Sequence, residues 1–354
     1  MLCGVTSSTG GGTDPRYTPI PRALLGGKYE AVEPVGRGGM ASVWLGYTHG
    51  EAGFRRKVAI KRVLQHLHED AAFEAMFVEE ARVVAELNHP NIVQVHDFGR
   101  DRDGGYFIVM EWVEGLNLSE YVRAFTRVGD HPPWHLTAAM CIEVLRALSA
   151  AHQRVDDAGR PVPVIHRDVT PSNIIIGING SVKLADFGLA RTMDRPRTTD
   201  PGIVKGKVAY LAPELLQHAK PDPRCDLYSV GVVLWEALTG QPLFAGARND
   251  VEIAMRILEA KLPPVTDFRD DLPQELSDIV MRALARQPRD RYQRATEMVD
   301  ALAQLLRRHP DSADGSAIAK SVRGARSVLP RTTLPPDRAA PESQPVDNTQ
   351  KSQE

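Results

Sequence analysis

The chain has only three cysteines, Cys3, Cys141 and Cys225, and they lie far apart. An odd number of widely spaced cysteines argues against a disulfide framework and favours a reducing compartment. The first residues, MLCGVTSSTGGG, also lack the basic and apolar segments of a secretory signal. Together these absences predict a cytoplasmic protein.

Long apolar runs and an excess of charge are missing as well. The most apolar stretch, residues 227–238, is shorter than the roughly 18–20 residues that a membrane helix needs. Lysine and arginine number 43 against 45 aspartates and glutamates, so neither sign of charge dominates. We therefore expect neither a membrane nor a nucleic-acid partner.

Composition divides the chain into three parts. Residues 1–27 are rich in Gly, Thr, Ser and Pro and predict a disordered leader, while residues 309–354 are polar and Pro-rich and predict a disordered tail. Residues 28–308 are periodic and predict a folded domain. Within it, residues 28–111 favour strands around one helix, and residues 112–308 favour helices. The expected fold is α+β, with a small sheet-rich lobe, a larger helical lobe and the chemistry between them.

Two acidic motifs lie close together in the middle of the chain. His166-Arg167-Asp168 is followed by Asn173, and Asp186-Phe187-Gly188 begins thirteen residues after that asparagine. If the apolar residues 174–176 form a strand, the two acids and the amide converge. A carboxylate can orient a hydroxyl, and carboxylate and amide oxygens can hold Mg²⁺ on the phosphates of a nucleotide. The pattern therefore indicates phosphoryl transfer.

A glycine-rich segment, residues 36–43, lies between two predicted strands. Glycines allow backbone N–H groups to approach phosphate oxygens, although an ordinary glycine hairpin is an equally good interpretation of this segment alone. Lys61, in the apolar stretch VAIK of the next strand, favours phosphate binding because a buried lysine needs an anionic partner. Helical spacing makes Glu80 the expected protein partner of Lys61, with Glu79 as the alternative.

In their order along the chain, these motifs resemble those of the eukaryotic-like (Hanks-type) serine/threonine protein kinases of bacteria. The resemblance covers about residues 29–306 and rests on the glycine loop, VAIK, FVEEAR, LNHPNIV, HRDVTPSN, DFG, APE, CDLYSVG and RDRY. It implies the two-lobed protein kinase fold. It also implies ATP- and Mg²⁺-dependent transfer of the γ-phosphoryl group to Ser and Thr hydroxyls of proteins, with a homodimer as the form for trans-autophosphorylation.

The resemblance implies roles for individual residues. Asp168 would accept or orient the proton of the substrate hydroxyl, and Asn173 and Asp186 would bind Mg²⁺. Lys61 would hold the α- and β-phosphates and pair with Glu80. Further nucleotide contacts would come from the glycine loop, the adenine slot and the hinge between the lobes: Val35, Gly36, Arg37, Gly38, Gly39, Met40, Ala41, Ser42, Val43, Ala59, Met110, Glu111, Val113 and Ile175.

Three other residues are expected to support the site rather than touch ATP. The resemblance implies a buried ion pair between Glu214 and Arg291, which would anchor the end of the activation segment. It further implies that Asp226 binds backbone N–H groups of the catalytic loop. Both arrangements would hold loops in place.

Two positions depart from the family pattern. Thr170 stands where most members carry lysine, and Lys207 stands where they carry threonine. In the family these two side chains meet beside the catalytic aspartate. We therefore predict a reciprocal exchange that keeps one ammonium group and one hydroxyl near Asp168. The alternative is that Lys207 points into solvent.

Regulation by phosphorylation is also expected. Arg167 is a charged neighbour of the catalytic aspartate and would bind a phosphate on the activation segment, residues 186–214. Thr198 or Thr199 is the predicted site of autophosphorylation, and Thr192 is the alternative.

Other functions remain open at this level. A pseudokinase, acting as a nucleotide-gated binding module, would have the same fold, but every phosphate- and metal-handling position is filled. A small-molecule phosphotransferase is disfavoured by the APE block and by residues 225–231, which in the family build a platform for protein substrates. Tyrosine specificity is disfavoured because VTPSN follows Asp168, where tyrosine kinases usually have a loop with Ala and Arg.

Overall fold

The computed structural model of the protein describes residues 24–37, 41–64, 71–187 and 207–330. At residues 37, 71–74, 76 and 80 it describes the backbone only.

The first part of the chain forms a five-stranded antiparallel sheet with one helix. The strands are β1 (Tyr29–Arg37), β2 (Ala41–His49), β3 (Arg55–Val63), β4 (Val95–Arg100) and β5 (Tyr106–Glu111), and the helix is α1 (Ala71–Ala85). The strand order β1-β2-β3-β5-β4 places β3 at the centre. Lys61 on β3 is therefore paired on both sides, with Val43 of β2 and Ile108 of β5.

The second part is mainly helical and carries a small three-stranded sheet. The strands are β6 (Gly115–Asn117), β7 (Ile174–Gly177) and β8 (Val182–Leu184). The helices are α2 (Leu118–Thr126), α3 (Trp134–His152), α4 (Pro213–Leu216), α5 (Arg224–Thr239), α6 (Asp250–Glu259), α7 (Gln274–Ala283), α8 (Ala295–Leu306) and α9 (Gly315–Val328). None of the described helices combines the length and the apolar character needed to span a bilayer.

Each lobe has its own apolar core. Helix α5 is buried on nearly every side, including Trp235 and Leu234, as expected of a helix that others surround. Helix α3 contributes Met140 and Leu145 to the same core. In the small lobe, Ile60 and Val109 of the central strands are fully buried on one face of the sheet. The predicted α+β fold with two lobes is confirmed.

The predicted disordered tail is wrong for residues 315–328, which form α9. The side chain of Asp314 accepts a hydrogen bond from the N–H of Ala317 and caps the helix. Ile318, Val322 and Ala325 form a buried stripe at helical spacing. The prediction failed because it weighed overall polarity and the lack of aromatics, whereas the buried face of α9 has only two larger apolar residues, Ile318 and Val322, beside the alanines Ala319 and Ala325.

The stretch before the catalytic loop, residues 156–163, is a largely exposed turn. Val155 pairs with Pro161, and the N–H of Asp156 donates to the carbonyl of Arg160. The Asp156 carboxylate also accepts from the Arg160 guanidinium. The turn is therefore held together by its own residues.

Candidate active site

Asp168 lies at the centre of the expected site, where two cationic or amide donors hold its carboxylate. Lys207 Nζ donates to Asp168 Oδ2 at 2.6 Å, and Asn173 Nδ2 donates to the same oxygen at 3.0 Å. Asn173 also donates to the backbone carbonyl of Asp168 at 2.8 Å. The carboxylate is thus fixed in one orientation, and no group of the described residues binds its other oxygen, Oδ1.

His166 connects the two acidic motifs. Its side chain is fully buried, and burial lowers the pKa of its imidazole and keeps the ring neutral. Nε2–H donates to the carbonyl of Ala185 at 2.9 Å, and Nδ1 accepts from the N–H of Asp168 at 3.2 Å. The ring also packs edge-on against Phe187 at 4.5 Å. A single neutral tautomer therefore ties the loop of Asp168 to the segment that contains Asp186.

Asp226, at the start of α5, binds backbone N–H groups of the catalytic loop, as predicted. Its carboxylate accepts from the N–H groups of His166 at 2.9 Å and Arg167 at 2.8 Å. Arg167 needs this support because its φ of 63° lies in the left-handed region. Burial would raise the pKa of Asp226, but hydrogen bonds from His152 and Arg167 outweigh it and lower the pKa. The sequence did not point to His152, whose Nε2 lies 2.8 Å from Asp226 Oδ2.

Lys61 contacts the second acidic motif directly. Its Nζ donates to Asp186 Oδ1 at 2.7 Å, across the boundary between the lobes. Burial alone would raise the pKa of Asp186, but the charge of Lys61 and its hydrogen bond outweigh burial and lower the pKa. Asp186 is held at a φ of 62°, a conformation that non-glycine residues adopt at a cost. The side chain of the predicted partner, Glu80, lies outside the described residues.

Asn173 and Asp186 have the chemistry that Mg²⁺ requires. The Asn173 amide nitrogen is bound to Asp168, so the amide oxygen is the atom left for a ligand. Asp186 accepts from Lys61 through Oδ1, and within the described ranges its Oδ2 has no hydrogen-bond partner. Amide and carboxylate oxygens are hard ligands of the kind that Mg²⁺ prefers. The residues present therefore fit the cation that the family resemblance implies.

The residues expected around the adenine ring lie together in one apolar cluster of the small lobe. Ala59 and Met110 are buried in it, and Val43, Val113 and Ile175 pack against it. They come from β2, β3, β5, the link after β5, and β7. An apolar slot assembled from both lobes is typical of a site for a flat heterocycle.

The hinge and the glycine loop frame this slot. Glu111 is fixed by an ion pair with Lys183 at 2.9 Å and by its N–H, which donates to Gln94. In the loop, Gly36 pairs with Val43 across β1 and β2. The predicted positions Ala41 and Ser42 are buried and Val35 is exposed. Gly38, Gly39 and Met40, and the side chain of Arg37, lie outside the described residues.

Of the two residues in the predicted exchange, Lys207 lies against Asp168 and Thr170 does not. Lys207 is half-exposed, yet its ammonium group lies on Asp168 rather than pointing into solvent. The hydroxyl of Thr170 is buried and lies 2.9 Å from Ser172 Oγ, so the closest partner of Thr170 is Ser172 and not Asp168. The roles of both side chains in catalysis stay predictions.

The predicted ion pair between Glu214 and Arg291 is confirmed. Two guanidinium nitrogens of Arg291 donate to the two carboxylate oxygens of Glu214, each at 2.7 Å. Arg291 is fully buried. The pair links the end of the activation segment to the large lobe. The threonines proposed for autophosphorylation, Thr192, Thr198 and Thr199, lie outside the described residues, as does Gly188.

Comparison with known proteins shows that the chain belongs to the protein kinase family. A family profile described as protein kinase domain matches residues 29–303. Among curated proteins, the tyrosine-protein kinase MasK of Myxococcus xanthus is 38% identical over 305 residues, which are 86% of this chain and 47% of that protein. The serine/threonine-protein kinase PrkC of Bacillus subtilis is 35% identical over 77% of this chain and 40% of that protein. The chain thus spans about half the length of these relatives or less.

A shorter relative and a solved structure agree with this result. The serine/threonine-protein kinase PknL of Mycobacterium tuberculosis is 38% identical over 81% of this chain and 69% of that protein. The crystal structure of the PknI kinase domain of the same species is 28% identical, with a TM-score of 0.60 over 81% of this chain and 99% of that one. The predicted resemblance to bacterial eukaryotic-like kinases and the two-lobed kinase fold are confirmed.

Proposed function

Because the chain belongs to the protein kinase family, we propose that it transfers the γ-phosphoryl group of ATP to serine and threonine hydroxyls of protein substrates. The observation that carries the proposal is the fixed carboxylate of Asp168, held by Lys207 and Asn173 beside the Lys61–Asp186 pair. The fold thus brings Asp168, which would act on the attacking hydroxyl, close to Lys61 and Asp186, which would act on the phosphates. Lys61 comes from the small lobe, and the two aspartates come from the large lobe.

Asp168 would act on the substrate hydroxyl. Its Oδ2 is saturated by Lys207 and Asn173, so Oδ1 is the oxygen that would accept the hydroxyl proton or orient it toward the γ-phosphorus. Orientation is the larger part of this role, because phosphoryl transfer needs an in-line attack more than a strong base.

The phosphates would be handled by Lys61, Asp186 and Asn173. Lys61 already lies between the lobes with an anionic partner, so a phosphate oxygen would share its ammonium group with Asp186. Bound Mg²⁺ would supply neutralisation of the phosphate charge, and its protein ligands would be Asp186 Oδ2 and the Asn173 amide oxygen. The apolar cluster of Ala59 and Ile175 would exclude water from the adenine ring.

Lys207 is proposed to contribute its charge to this centre. It donates to Asp168, and its charge also contributes to lowering the pKa of Asp186, so its charge acts on both acids. Lys207→Ala should therefore lose much of the turnover, about 100-fold or more if it stabilises transition-state charge, whereas Lys207→Arg should retain a larger share.

The exchange with Thr170 can be tested in the same assay. Lys207→Thr alone should lose turnover as Lys207→Ala does. Lys207→Thr combined with Thr170→Lys should recover the turnover of the wild type. A double variant as inactive as Lys207→Ala would contradict the exchange and leave Lys207 as an independent contact.

Serine and threonine are proposed over tyrosine as acceptors. PrkC and PknL are named serine/threonine-protein kinases, whereas MasK is named a tyrosine-protein kinase. The loop VTPSN, residues 169–173, lacks the Ala and Arg usual in tyrosine kinases. Tyrosine phosphorylation therefore stays the second candidate, supported by the MasK match.

One experiment separates these functions. Purified wild type and Asp168→Asn are incubated with radiolabelled ATP and Mg²⁺, and the labelled protein is hydrolysed to identify the phosphoamino acid. Phosphoserine or phosphothreonine in wild type, absent from the variant, is the expected result. Phosphotyrosine would identify the second candidate, and ATP binding without any transfer would identify a pseudokinase.

Three further expectations belong with the proposal. Autophosphorylation at Thr198 or Thr199, or at Thr192, would supply the anion for Arg167. Transfer between two copies of the chain would need a transient homodimer. A cytoplasmic location agrees with Cys141 and Cys225, which are buried free thiols.

A further inference from the structure

Two imidazoles and a carboxylate cluster on the large lobe, outside the residues of the active site. His135 lies at the start of α3, while His309 and Asp311 lie in the link between α8 and α9. One ring nitrogen of each histidine and one carboxylate oxygen of Asp311 lie within 4.8 Å of one another. The cluster thus joins two segments that are distant in sequence.

The two rings are held in place by aromatic packing. His135 and His309 stack with their centroids 4.5 Å apart and an angle of 19° between their planes. His309 also packs edge-on against the buried indole of Trp134 at 4.6 Å. Both histidines are partly buried, and metal binding has to turn one ring out of the stack so that a nitrogen of each ring faces the ion.

The donor atoms are largely uncommitted. In the described part of the chain, no hydrogen bond or ion pair engages the Asp311 carboxylate or the ring nitrogens of His135. Metal ions bind imidazole in its neutral form and carboxylate in its ionised form.

We propose that His135, His309 and Asp311 form a binding site for a divalent transition metal, with Zn²⁺ as the ion that suits the ligand set. Two imidazoles and one carboxylate make up three of the four positions of a tetrahedral zinc site, and water takes the fourth. Bonds of about 2.1 Å place tetrahedral ligands about 3.4 Å apart, so donor atoms that now lie up to 4.8 Å apart have to approach one another by up to about 1.4 Å.

The contraction falls on the exposed link, residues 307–314. Asp311 is exposed, and its N–H donates to Nδ1 of His309 at 3.2 Å, which is the long end of the normal range. Metal binding replaces this contact. Because α9 begins directly after the link, the metal fastens α9 to the start of α3 and stabilises the folded chain.

The test is a calorimetric titration of the full chain with Zn²⁺, after removal of bound metals with EDTA and in the presence of Mg²⁺. We expect the wild type to bind one equivalent at this site. His309→Phe keeps a ring against Trp134 without its nitrogens, and Asp311→Asn changes an exposed group. Each should weaken binding by more than about ten-fold, since even partners of metal ligands carry effects of that size.

His96→Phe is the matched control, because His96 is an exposed histidine on β4 of the other lobe. It should bind Zn²⁺ as the wild type does. Zn²⁺ should also raise the thermal unfolding temperature of wild type and His96→Phe but not of Asp311→Asn. Absence of binding to the wild type would overturn the proposal, and so would undiminished binding to both His309→Phe and Asp311→Asn. Unfolding in EDTA shows whether each variant is folded.

Discussion

The buried ion pair between Glu214 and Arg291 is predicted to be one of the most sensitive points of the fold. Arg291 is fully buried and donates to both carboxylate oxygens of Glu214 at 2.7 Å. In Glu214→Gln one of these charge-assisted bonds is lost, and the guanidinium remains buried without a counter-charge. Breaking one side of a buried pair costs about 3–5 kcal/mol.

The surroundings of Arg291 place the expected loss at the lower end of this range. Three backbone carbonyls also accept from its guanidinium: Ala285 at 2.7 Å, Arg286 at 3.0 Å and Arg224 at 3.1 Å. These contacts persist in the variant and partly compensate the charge. We therefore expect Glu214→Gln to lower the free energy of unfolding by about 3 kcal/mol.

Urea unfolding of the two proteins, followed by tryptophan fluorescence, measures this difference by linear extrapolation. Glu275→Gln is the control, because Glu275 pairs with Arg308 where both side chains are largely exposed. Such a surface pair contributes less than about 1 kcal/mol. If Glu214→Gln lowered the free energy of unfolding no more than Glu275→Gln does, the claim that burial makes the Glu214–Arg291 pair costly to break would be refuted.

Three other predictions concern loops, strands and α9. The pKa of Asp226 is lowered in the folded protein, so its contribution to stability is present above the ordinary carboxyl pKa of 3.8 and is lost as the pH falls through the folded value. The difference in the free energy of unfolding between wild type and Asp226→Asn should therefore narrow below pH 3.8. A difference that stayed constant with pH would contradict this. A Cβ at Gly115 would lie 1.9 Å from the carbonyl oxygen of Ile176, so Gly115→Ala should destabilise the protein by about 1–3 kcal/mol in thermal unfolding. Val322 is fully buried on α9, so Val322→Asp should expose the region of α9 to limited proteolysis, whereas Lys320→Asp on its exposed side should not.

The motifs allowed much of the fold and site to be predicted. The strands predicted before Gly115 and the helices predicted after it depend on local patterns of apolar residues, and the structure has strands and helices in these two regions. The convergence of Asp168, Asn173 and Asp186 also followed from their spacing, although the structure has two paired strands between Asn173 and Asp186, β7 and β8, where the sequence predicted one. Such features are encoded within a few residues of one another.

Other features depend on contacts between distant segments. The bond of Lys61 to Asp186 joins residues 125 positions apart, and the sequence pointed to Glu80 or Glu79 as the partner of Lys61 instead. His152 shares Asp226 with the catalytic loop across 74 positions. Neither residue stands in a pattern that identifies its partner, so only the three-dimensional structure reveals these pairs.

Helix α9 illustrates a third kind of limit. Its buried residues include two alanines, Ala319 and Ala325, whose small side chains give only a weak apolar signal. Its position also depends on contacts outside the helix, such as Arg323 donating to the carbonyl of Ile178 at 2.7 Å. The stripe of Ile318 and Val322 after the capping Asp314 was the one available sign.

The central claim is that the fixed carboxylate of Asp168 serves the transfer step itself. Single-turnover phosphoryl transfer from ATP to a protein acceptor, measured beside ATP–Mg²⁺ affinity for wild type and Asp168→Asn, tests it most directly. We predict that the variant binds ATP–Mg²⁺ as tightly as the wild type but transfers phosphate at least about 100-fold more slowly. An unchanged transfer rate in the variant would contradict the role of Asp168.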